Sequence, residues 1–99
     1  MKKITIEATE AFVNCVDFKK NNTVVTSCGE SSKMVLHGNT IAIKNSKNIK
    51  LSNCGYYTQT TKERLNGILS ALNLGCIKQK NGKWFFNGNE FIESLVIKF

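Results

Sequence analysis

Apolar and polar residues recur along this chain with two periods, and the changes of period mark its elements. The longest helical pattern starts at Thr60, three residues before Glu63, the spacing of a capping box. Leu65, Ile68, Leu69 and Leu72 follow at i, i+3, i+4 and i+7, the stripe of an amphipathic helix. The spacing predicts a helix over 61–74, closed by Gly75 in the left-handed position. Gly67 inside it costs about 1 kcal/mol relative to alanine and allows a close approach by a strand, a ring or a partner. Near the start of the chain, Ile4 and Ile6 alternate with Lys3, Thr5 and Glu7 and read as a short edge strand. Ala8, Ala11, Phe12, Cys15 and Val16 then recur at three- and four-residue spacing, which predicts a short N-terminal helix over 10–18 with Thr9 as its N-cap. Lys19 and Lys20 fall where that helix ends and suit its negative dipole end.

Period two takes over in the middle third. Residues 23–26, 33–36 and 40–44 read as strands, with a polar loop at 27–32 and a turn at His37-Gly38-Asn39. After a turn at 45–48, Ile49 and Leu51 alternate with Lys50 and Ser52. This is the pattern of an antiparallel meander with one face inward and one solvated. Asn81-Gly82 is the strongest hairpin signal. A two-residue turn there pairs Lys80 with Lys83, Gln79 with Trp84, Lys78 with Phe85 and Ile77 with Phe86. Ile77, Gln79, Trp84 and Phe86 then share the core side, and Lys78, Lys80, Lys83 and Phe85 the other. Residues 90–99 fit a helix through Phe91, Ile92, Leu95, Val96 and Phe99, or a strand through Leu95, Ile97 and Phe99. The expected architecture is α+β: an antiparallel sheet of short strands, one main amphipathic helix and a short N-terminal helix. At 99 residues the chain is read as a single small basic domain, 1–99.

Charge and chemistry narrow the function classes. Fourteen basic and seven acidic residues give a net charge of +7. No apolar run reaches membrane-spanning length, and no signal peptide is apparent, so no membrane partner is expected and the cytoplasm is the expected compartment. Cys15, Cys28, Cys54 and Cys76 form no Cys-x-x-Cys pair and are expected to be free, structural thiols. His37 is the only histidine and Asp17 the only aspartate. That is little material for a catalytic triad or a two-metal site, so no enzyme activity, metal or cofactor is expected. No phosphate-binding glycine loop is present.

Two basic clusters stand out. Lys62, Arg64, Lys78, Lys80 and Lys83, together with Phe85, are the candidate partner-binding residues on the predicted helix and hairpin. Lysines interleaved with an aromatic ring can hold single-stranded nucleic acid by charge and stacking. Lysine also protects edge strands from pairing, which is a purely structural use of the same residues. Lys44, Lys47 and Lys50 form a secondary basic patch around one turn. Tyr56-Tyr57-Thr58-Gln59-Thr60-Thr61 precedes the main helix. Capping by Thr60 or Thr61 accounts for the threonines, and docking of a phosphate or carboxylate is the alternative.

Leu36-His37-Gly38-Asn39-Thr40-Ile41-Ala42, Asn53-Cys54-Gly55-Tyr56, Thr60-Thr61-Lys62-Glu63-Arg64-Leu65-Asn66-Gly67 and Gly82-Lys83-Trp84-Phe85 together resemble small proteins encoded by bacteriophages and prophages. The resemblance covers roughly residues 20–88. It implies a setting in which a short accessory protein binds and disables a host factor, including CRISPR or restriction machinery, without enzymatic activity. The positive charge departs from acidic DNA mimics. The expected partner is therefore a host protein or ribonucleoprotein. The alternative is a small DNA- or RNA-binding protein acting through its own basic surface.

Overall fold

The computed structural model describes residues 2–99. The first helix, α1 (Lys3–Val13), is the largest departure from expectation, because the predicted edge strand at Ile4 and Ile6 is helical. Its buried stripe is Thr5, Ala8, Thr9 and Phe12, an i, i+3, i+4, i+7 pattern in which two of the four positions are threonine. Thr9 is therefore an inward residue in mid-helix, not the N-cap. Cys15 takes the left-handed position at the helix end (φ 55°). Val16 N–H donates to Ala11 O and Cys15 N–H to Phe12 O, a Schellman closure that ends the helix before Lys19 and Lys20 are reached. Lys19 and Lys20 consequently lie in a strand, β1 (Phe18–Lys20).

The meander follows as β2 (Thr23–Cys28), β3 (Ser31–Leu36), β4 (Asn39–Lys44) and β5 (Asn48–Ser52). The expected polar loop at 27–32 shrinks to a two-residue turn, since Cys28 pairs with Ser31. A bulge interrupts β3–β4: Val35 faces Thr40 and Met34 faces Ala42, leaving Ile41 as the extra residue. Ile41 and Ala42 are both buried as a result, and the alternation after them is reversed. Ile43 points outward and Lys44 inward.

The second helix, α2 (Gln59–Ala71), starts and ends earlier than 61–74. Thr58 is its N-cap and accepts from Thr61 N–H, so the Thr60–Glu63 capping box does not form. Asn73 (φ 57°), not Gly75, is the left-handed closing residue, with Leu74 N–H donating to Leu69 O. Leu65, Ile68 and Leu69 are buried as their spacing predicts. Then come β6 (Ile77–Lys80), β7 (Lys83–Phe86) and the two-residue β8 (Asn89–Glu90). The β6–β7 register is the one Asn81-Gly82 predicts, pair for pair. The chain ends in β9 (Ser94–Lys98), which settles the open reading of 90–99 as strand.

All strand pairs are antiparallel. Six strands form one sheet in the order β1-β2-β3-β4-β5-β9, and β6-β7-β8 form a second. Both helices pack on one face of the large sheet and against each other. Phe12, Val25, Met34, Ile49, Leu51, Leu65, Ile68 and Leu69 fill the space between. Trp84 anchors the small sheet to this core, with Tyr57 edge-on at 5.1 Å and Phe91 at 5.9 Å between ring centroids. The architecture is the α+β arrangement read from the sequence, with two sheets where one was expected. All four cysteines are free thiols.

Candidate functional site

The Asn81-Gly82 hairpin presents the main basic surface. Lys78 stands opposite Phe85, and Lys80 opposite Lys83, on the face turned away from Trp84. All three lysines are exposed, and Phe85 is half-buried. Phe85, Lys78, Lys80, Cys76 and Asn87 line a concavity of about 540 Å³. Lys62 reaches the hairpin from α2, where its Nζ donates to Gln79 Oε1 at 3.0 Å. The fold thus brings four of the six predicted partner-binding residues, Lys78, Lys80, Lys83 and Phe85, to one face, whereas Lys62 meets Gln79 on the Trp84 side of the hairpin. It also adds an acid that sequence spacing did not place there, because Glu90 on β8 pairs with Phe85.

Arg64 does not belong to that surface. It is 2% exposed. Its Nε donates to Thr23 Oγ1 at 3.3 Å and its Nη1 to Glu63 Oε1 at 3.0 Å and to Thr5 Oγ1. The guanidinium therefore ties α2 to α1 and β2. The Thr5 hydroxyl, donating to Glu63 Oε1, holds that carboxyl below the ordinary glutamate value, with Arg64 and Lys2 adding attraction against the cost of burial. Burial lowers the Arg64 pKa, opposed by Glu63. Sequence position put Arg64 beside Lys62. A helix turns 100° per residue, so two steps carry Arg64 to the far side of α2 and into the core.

Lys44 leaves the secondary patch for the same kind of reason. The β4 bulge turns it inward, where its Nζ lies 3.5 Å from Cys15 Sγ and 6.0 Å from the Phe12 ring centroid. Lys47 and Lys50 remain exposed. Lys47 is in an Asn45 turn, where Asn45 Oδ1 accepts from Lys47 N–H and Asn48 N–H. Lys50 belongs to a row across the outer face of the large sheet, Thr26, Lys33, Ile43, Lys50 and Val96. Lys33 was not among the predicted residues, and only strand register reveals it as a neighbour of Lys50 across Ile43.

The Tyr56–Thr61 segment borders a third feature, a cavity of about 270 Å³ at the start of α2. Asn53 lines it and was not singled out in the sequence. The two residues that chemistry could most readily have recruited for catalysis have structural partners. Asp17 Oδ1 accepts from Ser27 N–H and Oγ, and His37 Nε2 pairs with Asn22 Nδ2.

The family profile of the Kyanoviridae Gp96 protein matches residues 1–98. The chain belongs to that family. It is a small phage-encoded protein, which is the setting that the short strings around the hairpins and the main helix implied. No curated protein and no solved structure matches the chain. The family match spans both helices and both sheets, so the hairpin surface and the α2 cavity lie within it. Among the described residues of this family member, no helix is long and apolar enough to cross a membrane.

Proposed function

We propose that this chain is a non-enzymatic binding protein that attaches to a host nucleic-acid-directed factor, such as a CRISPR or restriction component, and inhibits it. The reading rests on the β6–β7 face, where Lys78, Lys80 and Lys83 are exposed and Lys78 and Lys80 border the concavity that holds half-buried Phe85. Such a face offers a desolvatable centre with a charged rim, the layout of a partner-binding patch. Isolated surface lysines contribute little to stability, so the cluster is not needed for folding. The structural use of Asp17 and His37 supports the absence of a catalytic role.

A second reading is direct binding of DNA or RNA, favoured by the placement of Phe85 between Lys78, Lys80 and Lys83. One experiment separates the two. Lys78, Lys80 and Lys83 are reversed to glutamate together, and the protein is assayed against purified effector complexes and against bare single-stranded DNA and RNA. The first reading expects a stoichiometric, nuclease-resistant complex that the triple reversal weakens at least about tenfold, about 1.4 kcal/mol, with melting nearly unchanged. Binding to bare nucleic acid with steep salt dependence, lost in the same variant, would favour the second. Unchanged affinity for both would remove the hairpin from the site.

A further inference from the structure

Lys44, at the end of β4, is only 9% exposed. Among the described residues the ion pairs are Glu7–Lys20 and Glu63–Arg64, so no carboxylate is paired with it. Its Nζ has one polar contact there, Cys15 Sγ at 3.5 Å, and the Phe12 ring centroid lies 6.0 Å away. A buried lysine is ordinarily paired with an acid. Here the fold aims it at a thiol.

The backbone holds the sulfur in that position. Cys15 occupies the left-handed position that closes α1 (φ 55°), with its N–H donating to Phe12 O at 3.4 Å and Val16 N–H to Ala11 O at 2.9 Å. Ser32 Oγ on β3 donates to the same Phe12 O at 2.6 Å, which ties the end of α1 to the sheet that carries Lys44. Cys15 is half-buried, and hydrogen peroxide is scarcely larger than water. The other thiols differ. Cys54 Sγ donates to Thr40 O at 3.2 Å and meets Ser52 Oγ at 3.7 Å, while Cys28 and Cys76 are exposed. Among the described residues, Cys15 is the only cysteine whose sulfur meets a lysine nitrogen within hydrogen-bonding distance.

We propose that Cys15 and Lys44 form a site of covalent modification, at which hydrogen peroxide drives a reversible sulfur–nitrogen bond between the two side chains. In the first step the Cys15 thiol reduces peroxide: one oxygen is transferred to Sγ, giving the sulfenic acid, and one water leaves. In the second, Lys44 Nζ, as the free amine after releasing a proton to solvent, attacks Sγ. The S–N bond forms as the S–O bond breaks, and the hydroxyl leaves as water with a further proton from the nitrogen. Sulfur loses two electrons in the first step and keeps that oxidation level in the second. A thiol reductant cleaves the bond, restoring both side chains and becoming a disulfide itself. The 3.5 Å separation is at the outer edge of the near-attack range, about 3–3.5 Å. Effective molarities for groups placed this way reach about 10⁵ M, so capture by Lys44 outruns oxidation by a second peroxide.

The test treats the full chain with equimolar hydrogen peroxide, digests it without reductant and maps the peptides by mass spectrometry. The peptides carrying Cys15 and Lys44 should appear joined, at a mass two hydrogens below their sum, and dithiothreitol should separate them. Lys44→Arg keeps the positive charge but supplies no comparable nucleophile. In that variant the link should be lost, and Cys15 should run on to the sulfinic acid, which dithiothreitol does not reverse. Mapping of the unsubstituted chain decides the matter even if Lys44→Arg fails to fold. The proposal is overturned by oxygen-bearing Cys15 with no joined peptide, by a disulfide from Cys15 to another cysteine in its place, by a joined pair that retains the peroxide oxygen, or by Cys15 left unmodified where Cys28 and Cys76 are oxidised.

Discussion

Arg64 ties α2 to two other elements, through Thr5 of α1 and Thr23 of β2, while also bonding Glu63 of its own helix. Arg64→Ala should cost roughly 3 kcal/mol by denaturant unfolding, the lower end for breaking a buried pair, because Glu63 keeps some contact with solvent. Arg64→Lys should not restore the loss, because a single ammonium cannot reproduce the Nε and Nη1 donors at once. Glu63 makes the same cluster sensitive to acid. Its folded pKa lies below the ordinary value of 4.5, so its stabilising contribution is complete above that value and is lost as pH falls through the folded one. The melting temperature should therefore fall below about pH 4.5, and Glu63→Gln should flatten that part of the profile. An identical acid profile in the two proteins would show that the Thr5–Glu63–Arg64 cluster does not couple protonation to folding.

At the scale of elements, the β6–β7 hairpin depends on its turn. Asn81 and Gly82 both have positive φ, 53° and 75°, as a two-residue turn of the twist-matching type requires. A Cβ at Gly82 would meet no neighbour within 4 Å, so any penalty is conformational and not steric. Gly82→Ala should cost about 1–2 kcal/mol, the penalty for an L-residue in the left-handed region, read as a lower midpoint in denaturant. Gly75 differs in kind. A Cβ there would come within 2.5 Å of Asn87 Oδ1, and Asn87 Nδ2 donates to Leu74 O at 3.4 Å. The glycine thus makes room for the side chain that ties the end of α2 to the β7–β8 turn, a use different from the helix-closing role its position suggested.

The whole molecule carries a net charge of +7 on a body of 37 × 29 × 21 Å. Two ion pairs, Glu7–Lys20 and Glu63–Arg64, occur among the described residues, and most lysines face solvent. Like charges at this density repel one another in the folded state. Raising sodium chloride from about 0.02 to 0.2 M shortens the screening length and should raise the melting temperature by a few degrees. A midpoint that falls instead would show that the two ion pairs outweigh the repulsion. The same surface excess makes attachment to an acidic partner salt-sensitive, so complex formation and folding should respond to salt in opposite directions.

Where a local pattern involves one period and ordinary core residues, the sequence alone determined the outcome. The helical spacing that puts Leu65, Ile68 and Leu69 on one face and the Asn81-Gly82 turn that sets the hairpin register are both local, because each depends on residues a few positions apart. The exposure of Lys78, Lys80 and Lys83 opposite Trp84 follows from the same register. Tertiary structure decided the rest. Thr5 and Thr9 are polar, so the α1 stripe is invisible to a hydrophobic count until the helix is packed. Lys44 is turned inward by a bulge in the β3–β4 pairing, and pairing is a property of two strands at once. Arg64 is drawn inside because its partners Thr5 and Thr23 lie on elements more than forty positions away in the chain. Asn53 acquires its unpaired donor only where the end of β5, the β3–β4 hairpin and the start of α2 converge. Sequence spacing measures distance along the chain, whereas burial, bulge register and orphaned donors are set by neighbours that only folding brings together.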